Sequence, residues 1–455
     1  MGTLGQDVRY AARALALSPG FAALAVITLA LGIGANSTIF SWINGTLLNP
    51  IPGVSKTSEL VTLSRSTSAR KPKEFSYEDY LDLRDQNTTF SGLAATSMHP
   101  VDITGGAHPE HTWGGLVSSN YFDVLGATPL LGRTFLPTEG KAPGADPVVV
   151  LGYRLWQQRF GGNKNIVGKN VQLNQHAYSV IGVMPRDFVG SHTGLQLDLW
   201  VPVTMESQII SNYDRLHDRG TNWLVLQGRR KPGVSVEQAQ DDVNTVMARL
   251  AKEYPNAHKG DTVVTAFPLW RGPFGANGYL YVLLPMLMAI SGFVLLLACA
   301  NVANLILVRS VARRREIAVR LSVGATRWRL VRQFLVESLL LALLAGAVAM
   351  VMTAWTAGSF SRFIPPSSVP IVMNISANGT VLLVTFLISL LAGVMFGVLP
   401  ALRASDISPM AVLKEDSGAS TGSIQKARLS SVLVVAQIAL SLLLLVCSGL
   451  FIRSF

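Results

Sequence analysis

Gly162, Gly168 and Lys169 are the residue types of a phosphate-cradling loop, in which glycine amides and a lysine neutralise a triphosphate. The spacing, Gly162-x5-Gly168-Lys169-Asn170, is one residue too long, and Asn170 stands where a hydroxyl would hold Mg2+. A turn before a strand fits better. His108-Pro109-Glu110-His111 offers the donors of a hydrolytic zinc site, but not in the His-Glu-x-x-His order. Pro109 also opposes the helix that presents such ligands, which leaves a polar loop. His176, His192 and His217 have no partner at ligand spacing, so structural or surface roles are expected. No Gly-x-Ser-x-Gly nucleophile turn occurs. Cys299 and Cys447 lie inside apolar runs, where cysteine behaves as a small hydrophobe; a disulfide scaffold and a Cys-based zinc site are excluded. The expected catalytic, metal and cofactor inventory is therefore empty.

The elements around these residues explain why. The chain has 455 residues, 49% hydrophobic and only 14% charged, against about 25% charged in soluble domains. No charge falls between Arg13 and Lys56, Arg271 and Arg309, Arg362 and Arg403, or Arg428 and Arg453. About 20 apolar residues cross ~30 Å of hydrocarbon. Spans are expected at Phe21–Ile43, Leu280–Val308, Thr380–Leu402 and Leu429–Ile452, with Gln333–Ala357 as another, interrupted only by Glu337. The first is too long for a signal peptide and lacks a convincing cleavage site. Before it, Leu4, Val8, Ala11 and Leu15 recur at helical spacing, away from Gln6, Arg9 and Arg13. That pattern predicts an amphipathic helix on the membrane surface.

Arg309, Arg313, Arg314, Arg315, Arg320, Arg327, Arg329 and Arg332 face a single Glu316 in one short connector. The positive-inside rule puts this connector and the N-terminus in the cytoplasm and the large insert outside. The net charge of +11 is thus largely a topology signal, and nucleic-acid binding is excluded for want of a groove-reading element. Within the connector, Ile317, Ala318 and Leu321 share one helical face, Gly324 suits a helix stop and Thr326 an N-cap. Pattern alone leaves open whether this short helix lies on lipid or on a partner. Inside the spans, Asn301 and Asn304 are expected at the depth of Glu337, with a hydrogen bond between one of them and its carboxylate. Gly32 and Gly34, and Gly393-x-x-x-Gly397, are expected at close helix approaches.

The insert, residues 47–278, has ordinary soluble composition. Strands are expected at Glu59–Ser64, Pro147–Leu151, Val171–Leu173, Tyr178–Val183, Trp223–Arg229 and Thr262–Phe267. Helices are expected at Ser76–Gln86, Ser119–Leu125, Tyr153–Phe160 and Val236–Tyr254. The last, with Val236, Ala239, Val243, Val246, Met247, Leu250 and Ala251 on one face, sits in a strand–helix–strand unit of α+β type.

These motifs carry a family. Tyr153-Arg-Leu-Trp-Gln-Gln-Arg-Phe-Gly-Gly through Val167-Gly168-Lys169, then Tyr178-Ser-Val-Ile-Gly-Val-Met-Pro-Arg-Asp-Phe188, resembles the periplasmic core domain of MacB-type permeases. Arg230-Lys-Pro-Gly-Val-Ser235 is similar to a second stretch of that domain. Glu316-Ile-Ala-Val-Arg-Leu-Ser-Val-Gly-Ala-Thr-Arg327 resembles the connector of FtsX-like permeases. Asp7-Val-Arg-Tyr-Ala-Ala-Arg13 with Gly32-Ile-Gly-Ala-Asn36 resembles the N-terminal half of the duplicated, acidobacterial-type permeases. Four-span members end near Pro400-Ala-Leu-Arg-Ala-Ser405; here a linker (403–428) leads to a further span, 429–452, which looks like the start of a second repeat.

The resemblance implies a MacB/FtsX-like ABC transporter permease: an α-helical integral membrane protein with a large α+β extracytoplasmic domain between its first two spans. The implied order is an amphipathic helix (1–20), first span (21–46), periplasmic core (47–278), second span (279–308), coupling region (309–332), third span (333–357), periplasmic loop (358–379) and fourth span (380–402). It implies no cofactor in this chain, ATP being bound by a cytoplasmic ABC ATPase partner. Other implied partners are a second permease half or a homodimer mate, and a periplasmic adaptor. The implied location is the bacterial inner membrane, multi-pass. Ile317 and Leu321 would enter a groove of the ATPase, with Glu316 and Arg320 as rim contacts and Gly324, Ala325 and Arg327 completing the coupling motif. The implied function is ATP-driven motion passed to the periplasmic domain for export of an unknown substrate. Transmission to cell-wall hydrolases, as in FtsX-type proteins, and a membrane-anchored sensor without ATPase are the alternatives.

Overall fold

The computed structural model describes residues 2–48, 53–66 except 55, 72–105, 109–192, 194–210, 213–258, 263–274, 277–312, 326–360 and 379–405, with positions 319, 322 and 323 in the connector and 435, 437–442, 445, 446, 449 and 453 further on. In chain order the elements are α1 (Gly2–Ala16), α2 (Pro19–Ile43), β1 (Leu60–Ser66), β2 (Pro72–Lys73), α3 (Tyr77–Gln86), β3 (Phe90–Thr104), β4 (Glu110–Val117), α4 (Tyr121–Leu125), β5 (Leu131–Gly132), β6 (Val148–Leu151) and α5 (Tyr153–Phe160). There follow β7 (Asn170–Leu173), β8 (His176–Val183), β9 (Leu199–Pro202), α6 (Glu206–Ile209), β10 (Val225–Arg230), α7 (Val236–Glu253), β11 (Val263–Pro268), α8 (Asn277–Ala312), α9 (Arg327–Phe360) and α10 (Gly379–Ser405). They form two compact units, a helical one and a β-rich one.

In the helical unit, α2, α8, α9 and α10 are each long and apolar enough to cross a membrane. Their shared core is built from Leu29, Ile33, Cys299, Val302, Leu341, Ala342, Ala345, Ala349, Ala392 and Phe396. Trp328 and Trp355, near the two ends of α9, are largely exposed. At 1.5 Å per residue they stand ~40 Å apart, the span of a bilayer with its headgroups, where indole rings settle. Helix α1 buries Asp7, Ala11, Ala14 and Leu15 and exposes Val8. Its inner face is turned toward α9 and α2, so protein covers Ala11 and Leu15 of the expected lipid-facing stripe while Val8 stays exposed. Of the expected 429–452 span, the described positions 435, 437–442, 445, 446 and 449 are helical.

The β-rich unit is a mixed sheet in the order β11-β1-β10-β3-β4-β9-β6-β8-β5, with β2 on β1 and β7 bridging β3 and β8. Strands β10 and β11 both run antiparallel to β1, which lies between them. The strand–helix–strand unit is therefore a split one. Its helix α7 starts on a reciprocal capping box, Ser235 with Gln238, and buries Ala239, Val243, Val246, Met247 and Leu250 on one sheet face. The other face is covered by Tyr121, Phe122, Phe188 and Trp200. The free side of β11 is closed by side chains: Asn244 donates to the Val264 carbonyl and accepts from its N–H, and Gln240 accepts from the Ala266 N–H. An edge so occupied is blocked to a further strand.

Strands β3, β4 and β9 have no counterpart in the sequence reading. Strand β3 holds Gly92, Ala94, Ala95, Ser97 and Pro100, poor strand formers all. Pro100 faces Trp113 of β4, and the pairing of β3 with β10 has already ended at Thr96. No ladder bond is lost to the missing N–H, so a proline is tolerated in a long strand.

Candidate functional site

The polar centre of the helical unit is made by three consecutive residues of α2. Successive positions on a helix project roughly 100° apart, so Asn36, Ser37 and Thr38 can each meet a different neighbour if α2 is surrounded. It is. Asn36 Nδ2 donates to the Ser291 carbonyl of α8 at 2.8 Å, and Ser291 Oγ donates back to Asn36 Oδ1 at 3.1 Å. Ser37 and Thr385 of α10 share a 2.9 Å hydrogen bond, and Thr38 meets Thr353 of α9 at 3.4 Å. Asn36, Ser37, Ser291, Thr353 and Thr385 are all buried.

Small residues bring the backbones close enough for these short side chains to reach. A Cβ on Gly32 would stand 3.2 Å from the Leu295 Cα of α8, and Gly34 looks at Ala349 of α9. Along α10, Thr385, Ser389, Gly393 and Gly397 recur every four residues, the spacing of one helix face. Against α9, Gly346 receives the Ser389 hydroxyl, Gly393 faces Leu339 and Ala342, and Gly397 faces Ser338.

A second cluster lies at the connector end of the same helices. Arg309 of α8 pairs with Glu337 of α9 at 3.5 Å, donates to the Ala14 carbonyl of α1 at 3.0 Å and covers the Phe21 ring at 4.6 Å. Arg332 of α9 pairs with Asp7 of α1 at 2.7 Å. Glu337 thus finds an arginine where an asparagine was expected: Asn301 is exposed, and the buried Asn304 Oδ1 has no hydrogen-bond partner. A cation is the stronger partner for a carboxylate held out of water, which accounts for the difference. Of the coupling residues, Glu316, Ile317, Arg320, Leu321, Gly324 and Ala325 lie outside the described residues. Arg327 opens α9, and the Thr326 carbonyl accepts from the Arg329 and Leu330 N–H groups.

The β-rich unit offers no reaction centre among its described residues. No group of three or more His, Cys, Asp or Glu there is arranged to hold a metal. The Gly168 and Lys169 N–H groups are spent on the Val180 and Ile166 carbonyls, not held toward a phosphate. Burial, with smaller contributions from Arg215 and His192, pushes His99 down to about 4, and burial alone does the same to His192. Both are neutral near pH 7. His217 contacts Asp214, and His111 contacts Asp102, at the surface. What the described helices hold is a polar hub tying four spans, and an ionic clasp binding α1 to both sides of the connector.

Compared with known proteins, residues 22–246 match the MacB-like periplasmic core domain and residues 288–409 the FtsX-like permease C-terminal family. The macrolide export ATP-binding/permease protein MacB of Salmonella paratyphi A is 28% identical over 304 residues, 66% of this chain and 43% of that protein. Its Escherichia coli counterpart is 26% identical over 350 residues, 75% of this chain and 49% of that protein. The chain thus spans about half the length of the curated relatives it matches. Among solved structures, the periplasmic region of MacB from Actinobacillus actinomycetemcomitans aligns at TM-score 0.36 and 16% identity, covering 48% of this chain and 91% of that one. The extracellular domain of the ABC-type transporter YknZ from Gram-positive bacteria aligns at 0.33 and 17%, covering 46% and 99%.

Proposed function

Because the chain belongs to the MacB/FtsX-like ABC transporter permeases, we propose that it is the membrane subunit that turns ATP hydrolysis on a separate ATPase into motion of the periplasmic core domain, for export of a substrate. The observation that carries this reading is the hub. One helix, α2, is hydrogen-bonded to all three other described spans, and the core domain is inserted in sequence between α2 and α8. Displacing α8 or α9 at the connector therefore moves α2 with it. The arginine-rich connector supports a cytoplasmic N-terminus and a multi-pass place in the inner membrane. The connector receives the ATPase: Ile317 and Leu321 in a groove, Glu316 and Arg320 at its rim.

Affinity capture of the chain from its native membranes tests this, with mass spectrometry of what co-purifies. An ABC ATPase is expected, and Leu321→Ala should lower its recovery about ten-fold, since burying a leucine contributes ~1.5–3 kcal/mol. A chain that brings down no ATPase points to the membrane sensor. Undiminished recovery with Leu321→Ala, Gly324→Val and the Ile317/Leu321 double alanine removes the docking assignment.

A further inference from the structure

His258 is absent from every motif read above, yet its side chain is wholly buried in the β-rich unit. It sits just after α7, its N–H on the Tyr254 carbonyl. Two charged groups face its ring among the described residues. Arg65 of β1 points Nη2 at His258 Nδ1 from 3.3 Å, and Asp79 of α3 places Oδ1 at 3.3 Å from Nε2. The same Asp79 carboxylate takes Arg65 Nη1 at 3.2 Å and Arg219 Nη1 at 2.8 Å. Arg65 also donates to Asn222 at 2.7 Å. Behind them, Arg219 is held by Glu78 and Asp82 and lies over the Tyr254 ring.

This arrangement fixes the tautomer. A guanidinium can only donate, so Nδ1 must be the acceptor and the single ring proton sits on Nε2, toward Asp79. A second proton has one place to go, Nδ1. There it removes the lone pair that Arg65 uses and sets a new cation beside a guanidinium. Asp79 already answers two arginines, so it offers the new charge little.

We propose that His258 is an acid switch: protonation at Nδ1 breaks its contact with Arg65 and releases the 213–224 segment and the end of α7 from the core. Both segments converge on this cluster, through Arg219 and Asn222 on one side and Tyr254 and His258 on the other. Neutral His258 belongs to the closed state, so closure is complete at neutral pH and is lost as pH falls. One coupled proton permits up to about tenfold in the opening equilibrium per pH unit.

Hydrogen exchange of the full chain in lipid nanodiscs tests this from pH 7.5 to 5.0, corrected for intrinsic rates. Peptides covering 213–224 and 250–258 should open at least about tenfold more at the acid end, while the 176–183 strand stays unchanged. His258→Gln, which cannot titrate, should flatten the pH profile, and so should His258→Asn. A flat wild-type profile, or the same slope in both variants, overturns the proposal. If the variants fail to fold, exchange of the His258 ring C2 hydrogen in the wild type decides instead. Its titration must share its midpoint with the opening of the two peptides, and separate midpoints refute the switch.

Discussion

The two units bury polar groups in opposite ways. In the β-rich unit the interior is ionic: Arg65, Asp79 and Arg219 form a closed network, and Asp198, all but buried, is gripped by Arg154 and accepts from Thr112 at 2.6 Å. Among the described spans the polar interior is made of hydroxyls and amides, and the described ion pairs sit at the connector end. The solvent each unit folds from explains the difference. A domain that unfolds into water can return its charges to water, so a network that is complete when folded is tolerated. A span has no water to return to, and weak dipoles at helix crossings are what lipid permits. Charges in the β-rich unit therefore lock, whereas the dipoles among the spans can be exchanged at small cost.

The largest effect should come from breaking the locked side. Asp79→Ala leaves two guanidinium groups around an empty carboxylate position, with Arg65 almost wholly buried. Removing one partner of a buried pair costs about 3–5 kcal/mol. Thermal unfolding of the full chain, followed by proteolysis within the 60–270 region, should show this domain melting well before the spans. An unchanged melting point would mean the network is ornamental and would erase the contrast.

A middling effect belongs to the backbone contact between α9 and α10. A Cβ on Gly397 would lie 2.7 Å from the Ser338 Cβ. Gly397→Val therefore overpacks the crossing, at about 1–3 kcal/mol. Detergent-solubilised protein should lose helical content at lower temperature, whereas Gly292→Val, at a site with nothing nearby, should not. Equal melting of the two variants would show that the helices can part without loss.

Much of this was legible beforehand, and what was not has physical causes. Helices α5 and α7 announce themselves by apolar period, and Ser235-x-x-Gln238 is a visible capping box. Strand β3 hides because its residues owe their conformation to neighbours on both sides, not to their own propensity. The hub hides because Asn36, Ser37 and Thr38 read locally as a polar interruption near the end of an apolar run. Depth was the available signal: Asn36, Thr353 and Thr385 each lie about two turns from the end of their helix distal to the connector. His258 carried no signal, since Arg65 and Asp79 reach it only through the sheet and the packing of α3.

The smallest stability effect should attach to the largest mechanical one. Ser37→Ala or Thr385→Val removes one hydrogen bond between α2 and α10, worth ~0.6 kcal/mol on average among membrane helices. Thr385 keeps a local outlet in the Val381 carbonyl at 2.8 Å, and Asn36 keeps Gly32 at 2.9 Å. The Thr385 hydroxyl freed by Ser37→Ala is thus not stranded, so that variant should barely shift melting, whereas Thr385→Val leaves the buried Ser37 hydroxyl without its partner and should cost more. Coupling is another matter, because the hub is the described link between α2 and its neighbours that is directional rather than merely close-packed. A triple variant, Asn36→Leu, Ser37→Ala and Thr38→Val, should leave ATPase recovery in the capture experiment unchanged and abolish the substrate-linked phenotype. If the triple variant transports normally, close packing at Gly32, Gly346 and Gly397 is enough to carry the motion, and the polar hub is only glue.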